Sequence, residues 1–249
     1  MQLNHKIFGE GEPFVILHGL FGMLDNWQGF AKKLAEHYKV YIIDLRNHGK
    51  SFHSDEFSYE LMSEDLFKLY EENNIGSAML LGHSMGGKTA MRFALDHPQL
   101  IKKLFVLDIG PKQYMPGHLE IFEALFALEI ETLDNRKDAS DALEERIPSF
   151  EVRQFILKNL TRNKDKSFRW KMNLKAIHEH YDKVIEALSE GVFHGETLFI
   201  KGENSDYIND GDEEEIYKLF PNASFKTVAD AGHWVHAEKP DELLEILLR

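Results

Sequence analysis

Cysteine is absent from the 249 residues. That excludes a disulfide framework, a thiolate nucleophile and a metal site built on sulfur. Long apolar runs are missing too, so no segment is expected to cross a bilayer. The stretch Met1 to Phe8 alternates like a strand and lacks the apolar core of a secretory signal, which points to a cytoplasmic protein. Positive charge is scarce: 29 Lys and Arg stand against 42 Asp and Glu, a formal charge of −13. A surface this negative repels phosphate backbones and anionic lipid, so neither nucleic acid nor membrane is an expected partner. What remains is ample apolar material, 43% of residues with 12% aromatic, enough for one sizeable core or one domain with a modest insertion.

Short apolar runs alternate with helical patterns in the first half, the signature of a parallel sheet with helices on both faces. Gln2 to Phe8 reads as an edge strand, and Phe14-Val15-Ile16-Leu17 as a strand buried on both faces. Val40 to Ile43, Ala78 to Leu81 and Leu104 to Leu107 repeat that pattern, with helices at Asp25 to Tyr38, Ser58 to Asn74 and Lys88 to Asp96. From Lys112 to Val192 the pattern is helical with no convincing strand: Leu119 to Leu128, Ala139 to Ile147, Val152 to Leu160 and Trp170 to Leu188. Alternation resumes with strands at Thr197 to Ile200 and Ser224 to Val228 and helices at Asp212 to Phe220 and Pro240 to Leu248. The expected division is a core of residues 1–111 and 193–249 carrying a helical insertion over 112–192.

Gly82-His83-Ser84-Met85-Gly86 fits G-x-S-x-G between a strand and a helix. The chemistry needs glycines there because a sharp, strained turn must lift the serine clear of the sheet edge. A serine hydroxyl attacks only when a base takes its proton. His233, in Asp230-Ala231-Gly232-His233-Trp234 after the last strand, is the best candidate, with His236 as its rival. His178 and His180 are two apart and diverge on a helix, so no metal site is expected from them. The oxyanion of an acyl transfer needs two backbone N–H donors. Met85 should supply one, and Leu20, in His18-Gly19-Leu20-Phe21-Gly22, the other, with Phe21 as its neighbour. Asp44 and Arg46 read as a pair of loop-fixing charges, although Arg46 could also meet a substrate carboxylate.

These residues together resemble the α/β-hydrolase superfamily, and more narrowly the small bacterial esterases of the YbfF type. The strings that carry the likeness are His18 to Gly22, Leu24-Asp25-Asn26, Arg46 to Gly49, Gly82 to Lys88, Asp108 to Pro111, and Gly232 to Pro240. The resemblance implies an α/β-hydrolase fold: a mostly parallel sheet flanked by helices, with a helical cap inserted between the sixth and seventh core strands. It also implies carboxylester or thioester hydrolysis without cofactor. The expected partner is a small-molecule ester or thioester substrate, no metal is expected, and the expected assembly is a monomer or homodimer. In most of the superfamily the acid that orients the base follows the seventh strand. The position at the usual spacing is Ser205, with Asp206 one residue late. YbfF-type enzymes take it from the end of the sixth strand, here Asp108. Asp108 is therefore the expected acid and Asp206 the alternative.

Expected substrate contacts are Phe21, His83, Phe122, Phe126, Trp170 and Trp234. The insertion's aromatics, Phe155 among them, could equally form its own small core. The basic stretch Arg162 to Lys175 could meet the phosphates of a CoA thioester, or be a solvated face. The leading expectation is a serine carboxylesterase for short-to-medium acyl esters. A thioesterase or C–C hydrolase would use the same residues. A ligand-binding protein that kept the fold and lost catalysis is the alternative of another class.

Overall fold

A computed structural model describes residues 2–249. Seven strands form one sheet in the order β1-β3-β2-β4-β5-β8-β9. They are β1 (His5–Phe8), β2 (Pro13–Leu17), β3 (Lys39–Ile43), β4 (Ala78–His83), β5 (Ile101–Leu107), β8 (Thr197–Gly202) and β9 (Ala223–Val228). Only β1 runs antiparallel, against β3; the other pairs are parallel. The unbroken apolar runs are explained by this layout, because helices cover both faces of a parallel sheet. Val15, Leu17, Tyr41, Ile43, Leu80 and Val106 point into one apolar layer. Phe14, Ile16, Val40, Ile42, Leu81 and Phe105 point into the other.

Helices α2 (Tyr59–Glu72) and α3 (Met85–Asp96) bury their inner sides in the first layer. Ser58 accepts a hydrogen bond from Leu61 N–H and so caps α2. The second layer is covered by α1 (Gln28–Leu34) and α11 (Pro240–Leu247), with Phe30, Leu34, Leu243 and Leu247 buried in it. Helix α9 (Glu213–Leu219) and the short α10 (Val235–Glu238) flank β9.

Between β5 and β8 lie α4 (Leu119–Ala127), α5 (Arg136–Leu143), α6 (Phe150–Leu157), α7 (Leu174–Glu179) and α8 (Tyr181–Ile185). The expected strand-free insertion is corrected here: β6 (Leu160–Arg162) and β7 (Phe168–Trp170) form an antiparallel hairpin. Each strand has three residues, too few for a period of two to stand out from a helical one. The turn is closed by Asn163 N–H to Ser167 O and Lys166 N–H to Asn163 O, with Lys166 at φ 75°. Trp170 therefore lies in a strand opposite Leu160, not at the head of a long helix. The helix expected from there starts at its Asn173 cap and breaks at His180.

Both ends of the inserted segment are tied to α3. Lys88 is buried, and its ammonium donates to Lys112 O at 2.8 Å and Glu186 O at 2.5 Å beneath the rings of Tyr59 and Tyr114. Burial pulls the Lys88 pKa down to about 7.

Candidate active site

Ser84 occupies the turn from β4 into α3 at φ 54° and ψ −122°, a region that side chains rarely adopt. Close packing demands the flanking glycines. A Cβ on Gly82 would stand 2.1 Å from Gly86 O, and one on Gly86 would stand 2.5 Å from His18 O. Ser84 N–H donates to Leu107 O at 3.0 Å, which pins the strained residue to β5. Met85 is the first residue of α3, so its N–H has no acceptor within the helix.

The loop after β2 folds back beside this turn. His18 is buried between two bonds, its Nδ1–H donating to Gly19 O at 2.8 Å and its Nε2 accepting from Leu45 N–H at 3.0 Å. Burial lowers its pKa to about 4, so this imidazole is a neutral brace. Phe21 sits at φ 58°, and its carbonyl accepts from Asn159 Nδ2 at 2.7 Å. Among the described residues the Leu20 and Met85 N–H groups enter no loop, turn or side-chain hydrogen bond, and both residues border a cavity at Ser84.

Asp108 and His233 are brought together. Asp108 follows β5 at φ 55° with no exposed surface, and its Oδ2 accepts from His233 Nδ1–H at 2.7 Å. Gly202 N–H donates to Oδ1 at 3.1 Å, and the Ser205 hydroxyl donates to Oδ2. Asp206 is exposed and makes no side-chain hydrogen bond to His233; only its backbone carbonyl is engaged, by Asn209. The position one residue earlier, Ser205, thus holds Asp108 rather than supplying a carboxylate itself.

Several groups around His233 could not be found by motif. Glu238 accepts from Gly232 N–H at 2.7 Å and Trp234 N–H at 3.2 Å, clasping the backbone on both sides of His233. His83 Nε2–H donates to the His233 carbonyl at 2.9 Å, and burial keeps the His83 imidazole well below its ordinary pKa. Tyr207 stacks on the His233 ring with centroids 3.9 Å apart. The rival His236 is half-buried, stacked on Trp27 at 4.3 Å, with desolvation lowering its pKa to about 3. Apart from the Glu238 clasp, which spans six and four residues, these contacts join segments far apart in sequence, where spacing carries no signal.

Two cavities open at Ser84. One, of about 410 Å³, is bordered by His233, Trp27, Phe155, Val152 and Trp234. The other, of about 400 Å³, is bordered by Met85, Tyr59, Ile109, Tyr114 and Val184. Leu20, Ser84, Gly117, His118 and Tyr207 border both. Of the expected substrate contacts, Phe21, His83 and Trp234 border the first cavity. Phe122, Phe126 and Trp170 border neither, which corrects their assignment. Phe122 is fully buried against Phe21, His178 and Tyr181. Phe126 is half exposed beside His178, and Trp170 is spent on the β6–β7 hairpin and its packing. Phe122 and Trp170 pack into the core that the inserted segment shares with the sheet, while Phe126 stays at the surface, and an amphipathic pattern does not tell such packing from a pocket wall.

Arg46 pairs with buried Asp65 at 2.6 Å, the structural option for that residue. Asp44 accepts from Leu24 N–H at 2.7 Å and Lys50 N–H at 2.9 Å, fixing its loop. In the basic stretch, Arg169 and Lys171 border a separate hollow with Lys50 and His53, which shares no residue with either cavity at Ser84.

Comparison with known proteins agrees with this geometry. A putative esterase/lipase of Haemophilus influenzae is 42% identical over 236 residues, covering 94% of this chain and 81% of that protein. Esterase YbfF of Escherichia coli is 33% identical over 238 residues, covering 95% and 92%. The solved structure of a marine microorganism esterase superposes with a TM-score of 0.97 at 41% identity, covering 99% of this chain and 98% of that one. The sequence model of the α/β-hydrolase fold matches residues 12–240. The chain belongs to the α/β-hydrolase fold family.

Proposed function

We propose that the chain is a serine carboxylesterase acting on small-molecule esters through an acyl-enzyme. The observation that carries this reading is the bond from His233 Nδ1–H to buried Asp108, with Ser84 on a strained turn facing the same cavity as His233. Its Asp108 partner leaves the His233 Nε2 side free to act as base. Ser84 Oγ attacks the ester carbonyl and His233 takes its proton. The tetrahedral oxyanion accepts hydrogen bonds from the Leu20 and Met85 N–H groups. Collapse breaks the bond to the alcohol oxygen, which leaves with the proton from His233. Water then adds to the acyl-enzyme by the same route, releasing the acid and restoring Ser84.

In this reading Asp108, not Asp206, is the acid, because it alone of the two is bonded to His233. The inserted residues 112–192 act as a cap, since Gly117, His118, Val152 and Phe155 border the cavity over Ser84. The esterase relatives support the substrate class.

Hydrolysis of p-nitrophenyl esters by wild type and Ser84→Ala tests the reading. Wild type should turn over, and Ser84→Ala should lose about 10⁴-fold or more in kcat. A Ser84→Ala variant that keeps its activity, or a wild type that cleaves none of these esters, would overturn it.

A further inference from the structure

The two cavities differ in which catalytic groups they touch, and that difference assigns the parts of a substrate. His233 borders the first cavity and not the second. Met85 borders the second and not the first. Ser84 and Leu20 border both, so a carbonyl carbon attacked by Ser84 lies where the cavities meet. In the collapse step the breaking bond is the one to the alcohol oxygen, and the proton it takes comes from His233. That oxygen must face His233, and the chain beyond it continues along the wall that His233 belongs to. The acyl chain leaves the same carbon in the other direction, past Met85.

Resting on the esterase reading, we propose that the cavity lined by Trp27, Val152, Phe155 and Trp234 takes the alcohol arm, while the cavity lined by Tyr59, Ile109, Tyr114 and Val184 takes the acyl arm. Each is large enough for a ligand fragment and not merely a water-sized gap. The substrate class is therefore an ester with an apolar chain on both sides of the scissile bond. His118 and Tyr207 border both cavities and form the divide between them. They are held in place: His118 bonds to the Tyr181 hydroxyl at 2.7 Å through Nδ1, and the Tyr207 carbonyl accepts from the Tyr114 hydroxyl at 2.8 Å. Val184 and Val152 are half-buried side chains on the two walls, which makes them the residues that limit chain length on each side.

Two substrate series separate the arms: methyl esters of acids from acetate to dodecanoate, and acetate esters of alcohols from methanol to dodecanol, followed by titration of the acid released. Val184→Trp should lower the ratio of kcat/KM for long over short acids by about tenfold or more while the alcohol series keeps its wild-type ratio. Val152→Trp should do the reverse. Should either tryptophan variant fail to fold, Val184→Ala and Val152→Ala carry the test in the opposite direction, each extending its own series by one or two carbons. Crossed effects, with Val184 variants acting on the alcohol series, overturn the assignment of arms and leave the esterase standing. Equal effects on both series overturn the division into two arms. A wild type that cleaves neither series overturns the esterase reading, and the assignment falls with it.

Discussion

Strands β5 and β8 lie side by side in the sheet, and each ends near an aspartate. Asp108 follows β5 fully buried, in the left-handed region, with three donors on its two oxygens. Asp206 follows β8 by four residues and lies exposed. A buried carboxylate is costly unless its lone pairs are met, and here a ring N–H, a backbone N–H and a hydroxyl meet them. The exposed one carries no such obligation and imposes no orientation. What separates a carboxylate that can orient a base from a surface charge is therefore the set of donors aimed at it, and two of those three, Gly202 N–H and the Ser205 hydroxyl, come from the end of β8 and the loop after it. In the proposed mechanism the loop after β8 thus supports the acid and does not supply it.

The largest expected effect breaks that contrast directly. Asp108→Asn should reduce kcat by about 10³- to 10⁴-fold, since the amide leaves His233 without a carboxylate to fix its tautomer and stabilise its charged form. Asp206→Asn should stay within about twofold. Ester hydrolysis at saturating substrate reads both, and near-equal losses in the two variants would erase the distinction.

Acid stability sharpens the comparison from another side. The structure around Asp108 and Ser84 is braced by buried and half-buried neutral imidazoles, whereas the Asp206 loop has none. Burial lowers His18 and His118 to about 4 and His48 and His236 to about 3. Below about pH 6.5 the unfolded chain binds protons at these residues that the folded chain refuses, so stability falls as pH falls. Their contribution is complete above about 6.5 and is lost progressively toward pH 4 and below. By pH 5 each of the two fully buried rings, His18 and His48, costs about 2 kcal/mol, and the half-buried His118 and His236 less. Denaturant unfolding between pH 8 and pH 5 should show the loss, and His236→Phe, stacked on Trp27, should blunt it. An unchanged midpoint over that range would refute the buried-neutral assignment.

Legibility followed the same line between local and long-range constraint. The elbow at Ser84 was readable because steric demand on Gly82 and Gly86 is written within five residues. The buried strands were readable because both faces of a parallel sheet are covered, which forces unbroken apolar runs such as Phe14 to Leu17. His18-Gly19 gave the loop after β2 by the same local logic. Three-residue strands left no period to detect, so β6 and β7 stayed hidden. Phe122, Phe126 and Trp170 looked like pocket material because helical spacing shows that a face is apolar and not what it packs against. Ser205, Tyr207 and His83 act on Asp108 or His233 from other segments, and no spacing rule reaches that far, whereas Glu238 clasps the backbone of Gly232 and Trp234 from six and four residues away. Asp108 itself was reached through resemblance, with spacing unable to choose between it and Asp206.

The comparison can also be partly reversed. In Asp108→Asn/Ser205→Asp the carboxylate moves to the β8 loop, at the position that the superfamily spacing favours. Ser205 Oγ bonds the same Asp108 oxygen that His233 does, so a carboxylate at 205 lies near enough to compete for Nδ1–H. The double variant should recover about 10- to 100-fold over Asp108→Asn, and no recovery would mean that the left-handed backbone at 108 is needed for the geometry.

The smallest effect belongs to the hydroxyl alone. Ser205→Ala removes one neutral donor from a carboxylate that keeps two others, a change worth about 1 to 2 kcal/mol in a hydrogen bond to a charged group. Only the part that differs between the neutral and charged forms of His233 reaches kcat. A loss of about three- to tenfold in kcat with KM nearly unchanged is expected. A loss as large as that of Asp108→Asn would instead mean that Ser205 holds the carboxylate in place, so that Asp108 swings away from His233 without it. Thermal unfolding of the same variant separates the two outcomes: a buried carboxylate left short of a donor lowers Tm, whereas a freed side chain that reaches solvent does not.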